Sequence, residues 1–182
     1  RRAGRAIVVK MIADRDLDRA RSFADQGVIV TDNAHEITTH PDIDIVVELI
    51  GGQTIAKDLI LEAIAHGKHV VTANKALLAN HGTEIFAAAR AKGVMVAFEA
   101  AVAGGIPIIK ALREGLTANR ITWIAGIING TSNFILSEMR DKGLSFEQVL
   151  AEAQKLGYAE ADPTYDIEGI DAAHKITLMS AI

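Results

Sequence analysis

The fold is decided by residues 45–75, which read IVVELIGGQTIAKDLILEAIAHGKHVVTANK. An apolar run at 45–50 ends at two glycines, and such a run is typical of a parallel strand that is covered on both faces. Residues 54–66 predict a helix that Gly67 closes in a left-handed conformation. A second strand follows at 69–72, so the stretch predicts a β-α-β unit of a parallel sheet with helices on both sides.

Alternating strands and helices extend this unit in both directions. Before residue 99 the patterns predict further strands at 6–13, 28–31 and 94–98, and helices at 15–26 and 76–91. After residue 99 they predict a helix at 105–117, a strand at 120–128, and helices at 131–142, 145–156 and 166–182. The sequence therefore predicts an α/β chain whose domain boundary lies near 98–105.

Composition narrows the class of partner. The 182 residues are 49% hydrophobic and 4% aromatic, which is ordinary for a soluble α/β protein. A net charge of −4 argues against a nucleic-acid surface and favours a small-molecule partner. The lack of cysteine fits the cytoplasm, and no apolar run approaches the roughly 20 residues that a membrane span needs. The abrupt ends lead us to expect the interior of a longer protein.

The richest chemistry lies at 157–175, where five carboxylates and one lysine fall within sixteen positions. Asp171 and Lys175 are four residues apart, so on a helix they share one face. A solvated helix could carry such charges, but the chain continues through apolar residues such as Leu178. We therefore expect the charges to lie at the mouth of a buried site.

Polar and glycine-rich segments follow the predicted strands, at the sheet edge where ligands bind. The first is Ile50-Gly51-Gly52, whose glycines suit either a ligand that approaches the backbone or a tight turn. The next is Thr72-Ala73-Asn74-Lys75. The helix dipole disfavours a lysine at the start of a helix. The presence of Lys75 there suggests that it binds an anion or a carbonyl oxygen.

Two further turns admit both a functional and a structural interpretation. Glu99 precedes a glycine-rich turn through Pro107 whose free carbonyls suit a hard cation, although a plain turn explains it as well. The segment 129–133 offers hydroxyls and N–H groups to an anion, or simply caps a helix. The histidines predict no zinc site, because His66 and His69 flank Gly67 and the helix dipole already favours a histidine in the last turn of a helix. His174 points to another helix face than Lys175 and is structural in this interpretation.

Taken together, these segments resemble the homoserine dehydrogenase family. The resemblance is carried, in order, by Gly-Lys-His-Val-Val-Thr-Ala-Asn-Lys at 67–75, by Phe-Glu-Ala-Ala-Val-Ala-Gly-Gly-Ile-Pro-Ile-Ile at 98–109, by Gly-Ile-Ile-Asn-Gly-Thr-Ser-Asn-Phe-Ile at 126–135, and by 157–175. It implies a partial Rossmann-like dinucleotide-binding domain over 1–100 and a partial α+β substrate and dimerisation domain over 101–182. The joint occurrence of four segments is far more specific than any one.

The resemblance also implies an activity and a set of roles. The activity is NAD- or NADP-dependent interconversion of L-aspartate 4-semialdehyde and L-homoserine, on the route to threonine, methionine and isoleucine, in a homodimer or homotetramer. Lys175 is implied as the general acid, and Lys75 as its neighbour beside the nicotinamide. The implied substrate-binding residues are Glu160, Asp171, Asp166, Gly157, Asn129, Gly130 and Thr131. The expected cofactor contacts are Ile50, Gly51, Gly52, Thr72, Asn74 and Lys75. A sodium site is implied at Glu99, Val102, Gly104 and Ile106.

One departure and two alternatives remain. The family's glycine-rich strand-turn, which holds the cofactor pyrophosphate, is not found in these residues. Asp14 favours the ribose hydroxyls of NAD, whereas Arg15 suits the 2′-phosphate of NADP, so these two residues indicate opposite cofactor preferences. The alternatives are a related NAD(P)-dependent reductase of another small carbonyl compound, and a ligand-sensing or assembly module without catalysis. The presence of Lys75 and Lys175 with the key carboxylates speaks against the second.

Overall fold

The computed structural model describes residues 4–182. The chain divides into two compact units, the first ending at Phe98 and the second beginning at Glu99. This division lies within the predicted boundary region. The predicted first domain begins at residue 1, and its first three residues lie outside the described range.

The first unit alternates strands and helices, as the sequence predicts. Its strands are β1 (Met11–Ala13), β2 (Ile29–Thr31), β3 (Ile45–Glu48), β4 (His69–Thr72) and β5 (Val96–Ala97), and its helices are α1 (Leu17–Ser22), α2 (His35–Thr39), α3 (Ile55–Ala65) and α4 (Lys75–Lys92). β1 pairs with β2, and β3-β4-β5 form a second sheet; every pairing is parallel. The α/β prediction for this part of the chain is confirmed.

Side chains from α3, α4 and β4 form the core of this unit. Ile60, Ile64, Leu77, Ile85 and Val70 are fully buried. Helix α3 ends where Gly67 adopts a left-handed φ of 75°, as predicted, and Gly93 ends α4 in the same conformation. The two helices pack together, so the core holds β3 and β4 in register, with Val46 opposite Val70.

The strand predicted at 69–72 is observed with the same bounds, whereas the other predicted strands are longer than the observed ones, and one burial prediction is wrong. The strand predicted at 6–13 forms only at 11–13, where β2 supplies a hydrogen-bonding partner, and the strand predicted at 94–98 contains two residues. β3 is buried on one face only. Val46 and Glu48 point inward, whereas Ile45 and Val47 are 51% and 59% exposed, because side chains alternate between the faces of a strand.

The second unit is helical in the residues described. It contains α5 (Ile108–Lys110), a wider π turn at Ala111–Gly115, α6 (Gly130–Lys142), α7 (Phe146–Lys155), α8 (Thr164–Ile167) and α9 (Ile170–Ser180). Ser145 and Gln148 form a capping box at the start of α7. Ile135, Val149, Ala153 and Ala159 form a buried cluster between α6, α7 and the chain after α7.

Three predictions for this unit are corrected. The helix predicted at 105–117 begins only after Pro107, because Gly104 is left-handed (φ 61°) and proline is favoured at a helix start. No strand forms at 120–128 within the described residues, since this segment has no hydrogen-bonded strand partner there. The helix predicted at 166–182 is interrupted at Gly169, whose φ of 75° separates α8 from α9.

Candidate active site

The second unit contains a partly buried ion pair. Asp171 lies in the first turn of α9 and Lys175 one turn later, and the Lys175 Nζ donates to Asp171 Oδ2 over 2.7 Å. The two side chains are only 17% and 9% exposed for lysine and aspartate, respectively. The same Nζ also donates to the carbonyl oxygen of Ile128 over 2.6 Å. The predicted shared face is therefore confirmed as a direct contact, and two of the three ammonium N–H groups have acceptors in the described residues.

Asn129 connects this pair to a second carboxylate. Its Nδ2 donates to Asp171 Oδ2 over 2.9 Å and to Asp166 Oδ1 over 2.8 Å, while its Oδ1 accepts from the Ser132 N–H at the start of α6. Ser132 Oγ donates to the Asp166 carbonyl oxygen over 3.1 Å. Asn129 is thus the helix cap that the sequence left open and a member of the charged network as well.

The remaining predicted substrate residues lie around this network with different contacts. Gly130 is the first residue of α6, and Thr131 Oγ1 donates to the Tyr158 carbonyl oxygen over 2.7 Å. Gly157 follows α7 with a φ of 77°, a conformation that favours glycine. Glu160 is exposed, and its carbonyl oxygen accepts from Gln154 Nε2 over 3.1 Å. The Glu160 carboxylate is not part of the hydrogen-bonded network in the described residues.

Two other groups in this segment are fixed by local bonds. The pKa of the Asp162 carboxyl lies below its ordinary value because the Thr164 hydroxyl and then the Thr164 N–H donate to it. His174 Nδ1 lies 2.6 Å from the Tyr165 hydroxyl oxygen, on a different side of α9 from Lys175. These contacts fix the chain at the start of α8 and link α8 to α9.

In the first unit, the segments that follow β3 and β4 are hydrogen-bonded to each other. Asn74 caps α4 by accepting from the Leu77 N–H, and its Nδ2 donates to the Gly52 carbonyl oxygen over 2.7 Å. Gly51 and Gly52 have φ values of 79° and 73°, and nothing lies within 4 Å of the position that a Cβ would take. The predicted segments 50–52 and 72–75 therefore meet at one sheet edge, beside open space. Lys75 is half-buried as the first residue of α4.

Sequence reasoning missed one residue of this edge, Glu48. It is 4% exposed at the end of β3, and its carboxylate accepts from the N–H groups of Ile50 and Gly51 and from the Thr72 hydroxyl. The available signal was a carboxylate at an inward position of an otherwise apolar strand. Because the carboxylate already binds these two amides, they are not an open site for a phosphate.

The predicted cation site has one carboxylate, and it is already hydrogen-bonded. Glu99 accepts from the N–H groups of Ile109 over 2.7 Å and Lys110 over 3.0 Å, at the start of α5. Val102 is buried, whereas Gly104 and Ile106 are exposed in the turn that follows. A carboxylate has about four lone-pair sites, so two bonds leave room for a cation.

None of the helices in residues 4–182 combines the length and apolar character that a membrane crossing needs. Across the same residues, no group of three or more His, Cys, Asp or Glu side chains is arranged to hold a metal ion. His66 Nδ1 lies 2.9 Å from the Glu62 carbonyl oxygen one turn earlier, and His69 Nδ1 accepts from the Met95 N–H of the neighbouring segment over 2.9 Å.

The parallel sheet and its polar strand ends define the first unit as a Rossmann-like, nucleotide-binding type of α/β fold. Residues 1–99 match the family model described as homoserine dehydrogenase, NAD binding domain, and residues 107–182 match the model of homoserine dehydrogenase. The chain belongs to the homoserine dehydrogenase family.

Individual relatives agree with this assignment. A homoserine dehydrogenase of Pseudomonas aeruginosa is 66% identical over 183 aligned residues, which cover 100% of this chain and 42% of that protein. The crystal structure of a homoserine dehydrogenase from Thiobacillus denitrificans has a TM-score of 0.92 at 70% identity, over 99% of this chain and 42% of that one. A hyperthermophilic archaeal homoserine dehydrogenase in complex with NADPH has a TM-score of 0.77 at 29% identity, over 89% of this chain and 52% of that one. The chain thus spans well under half the length of the first two relatives.

Proposed function

We propose that the complete protein interconverts L-aspartate 4-semialdehyde and L-homoserine with NADPH or NADH, on the route to threonine, methionine and isoleucine. Membership of the family supports this activity. The observation that carries it is the network of Lys175, Asp171, Asn129 and Asp166, which holds an ammonium group in a fixed direction at a partly buried site.

In this proposal Lys175 is the general acid of the reduction. Ile128 and Asp171 accept two of its N–H groups, and the third donates to the aldehyde oxygen and transfers its proton as the alcohol forms. In the reverse direction Lys175 takes the hydroxyl proton. The nicotinamide, when bound, supplies or accepts the hydride.

The carboxylates bind the other end of the substrate. Asp171 and Glu160 are the proposed partners of the substrate ammonium group, because an ammonium that leaves water needs negative charge beside it. Asp166 supports this site through Asn129. Gly157 and the turn that contains Gly130 and Thr131 shape its wall.

The cofactor is assigned to the strand ends of the first unit. The left-handed glycines and the open space beside them fit a flat ligand that approaches the backbone. The proposed contacts are Ile50, Gly51, Gly52, Thr72, Asn74 and Lys75, and Lys75 is also proposed to flank the reacting oxygen. A monovalent cation, sodium, is proposed at Glu99 with the backbone of Val102, Gly104 and Ile106. We further propose a cytoplasmic homodimer or homotetramer.

The test is an assay of the complete protein with aspartate semialdehyde and either NADPH or NADH, read from nicotinamide absorbance. A panel of other small aldehydes and ketones accompanies it. Turnover confined to aspartate semialdehyde supports the proposal. Turnover of another compound in the panel instead would favour a related reductase, and no turnover at all would favour a module without catalysis.

A further inference from the structure

The turn after β3 is tied to the neighbouring strand by Glu48. Glu48 and Thr72 are direct partners in the β3-β4 register, and both are buried, at 4% and 0% exposure. Glu48 Oε2 accepts from the Thr72 hydroxyl over 2.6 Å, while Oε1 accepts from Ile50 N–H over 2.8 Å and Gly51 N–H over 3.0 Å. One carboxylate therefore binds both the adjacent strand and the turn that follows its own strand.

The bonds continue from Thr72 back to the same turn. Thr72 Oγ1 accepts from the Asn74 N–H over 3.0 Å, and Asn74 Nδ2 donates to the Gly52 carbonyl oxygen over 2.7 Å. Glu48, the turn, Asn74 and Thr72 thus form a closed ring of hydrogen bonds. Because Asn74 also caps α4, the ring fixes the turn relative to the helix that begins at Lys75.

We propose that Glu48 is a positioning residue of the nucleotide site, which holds the Ile50–Gly52 turn and the start of α4 in the geometry that receives the cofactor. This inference rests on the proposed function, since the cofactor contacts at the turn are part of that proposal. Two consecutive left-handed glycines leave the turn many alternative conformations. A carboxylate that accepts two successive amides selects one of them.

A second threonine–glutamate pair in the same unit offers a matched control. Thr38 is 1% exposed and donates its hydroxyl to Glu62, a carboxylate that His35 also contacts. This pair joins α2 to α3 and includes none of the proposed cofactor contacts. Thr38→Val therefore removes a bond of the same hydroxyl-to-carboxylate kind, here part-buried, without touching the turn.

The experiment measures the affinity of the complete protein for NADPH by fluorescence titration and, without nucleotide, the amide hydrogen exchange at the turn. In Glu48→Ala we expect faster exchange at Ile50 and Gly51. If the turn is then in its binding geometry about one tenth of the time, the dissociation constant rises about tenfold. The KM for NADPH rises with it, while the KM for aspartate semialdehyde stays unchanged.

Three comparisons make the test decisive. Glu48→Gln keeps one oxygen for both turn amides, so exchange at Ile50 and Gly51 should stay close to wild type. Thr38→Val should lower the unfolding temperature and leave NADPH affinity unchanged. If Glu48→Ala does not fold, Thr72→Val opens the same ring from the other strand while keeping side-chain volume, and faster exchange at Gly51 is its readout.

The inference and the proposed function fail in different ways. Wild-type affinity and wild-type exchange in Glu48→Ala, or unchanged exchange at Gly51 in Thr72→Val, would overturn the positioning role alone. A loss of NADPH affinity in Thr38→Val equal to that in Glu48→Ala would reduce Glu48 to a general stabilising residue. A wild-type protein that binds neither NADPH nor NADH would overturn the proposed function, and this inference with it.

Discussion

Replacement of Lys175 by methionine separates the proposed catalytic role of this residue from its structural role. Methionine keeps the unbranched shape and length of most of the side chain but removes the ammonium. The change breaks two hydrogen bonds, to Ile128 and Asp171, and leaves the Asp171 side chain, which is 9% exposed, with one fewer partner. Both the turnover and the folding stability should therefore fall, for different reasons.

The two losses have predictable sizes. Loss of a general acid lowers turnover by about two to four orders of magnitude, which is about 3–5 kcal/mol of transition-state stabilisation. Removal of one partner of a buried ion pair costs about 3–5 kcal/mol of folding stability. We expect the lower end, about 3 kcal/mol, because the Lys175 side chain is still 17% exposed.

The assay compares kcat and thermal unfolding of the complete protein in Lys175→Met and in Lys175→Met combined with Asp171→Asn. The double variant leaves neither charge buried alone, so most of the stability should return. Turnover should not return, since no proton donor has been restored. A single variant with kcat within about threefold of wild type, far above the range for a lost general acid, would remove Lys175 from the mechanism.

Three shorter tests address other contacts. Asn129→Ser keeps a helix cap but removes both bonds to the carboxylates. If substrate binding loses the contribution of one bond to a charged group, about 1.5 kcal/mol, KM for aspartate semialdehyde should rise about tenfold. An unchanged KM would contradict the network. The pKa of Glu62 lies below its ordinary 4.5 because Thr38 and then His35 bind the carboxylate. The ionised Glu62 carboxylate therefore contributes its full share of folding stability above pH 4.5. That contribution is lost as the pH falls through the lowered pKa. The difference in unfolding temperature between wild type and Glu62→Gln should accordingly shrink in acid, and a constant difference would argue against the pairing. Replacement of sodium by tetramethylammonium should lower wild-type activity but leave Glu99→Gln unaffected, and equal responses would exclude Glu99 from a cation site.

Local signals in the sequence predicted the first unit well. The strands at 45–48 and 69–72 and the helix between them follow from apolar runs closed by glycine, and these signals lie within a few residues of what they determine. The contact between Asp171 and Lys175 also follows from four-residue spacing on a helix. Both kinds of inference need no knowledge of the rest of the chain.

Other features depend on partners that are distant in sequence. Residues 120–128 predict a strand, but a strand exists only where another segment pairs with it. Glu48 reads as one polar residue in an apolar run, and its importance becomes visible only when Thr72 is placed beside it by register. Gly169 is a signal for a helix break, but the apolar residues on both sides of it favour one continuous helix. The roles assigned to the site residues stay predictions until they are tested.

The buried pair of Asp171 and Lys175 is better explained by chemistry than by folding. An apolar pair of similar volume is often equally stable or more stable, because two charges that leave water lose hydration. The buried apolar cluster that packs α6 against α7 contains neither member of the pair. Apolar residues cannot provide an ammonium group with a fixed orientation. Here Ile128 and Asp171 accept two of the N–H groups, and the tetrahedral geometry of the ammonium then fixes the direction of the third. A reaction that moves a proton to a carbonyl oxygen requires that aim, so a proton-transfer role gives these two charges a reason to be buried together.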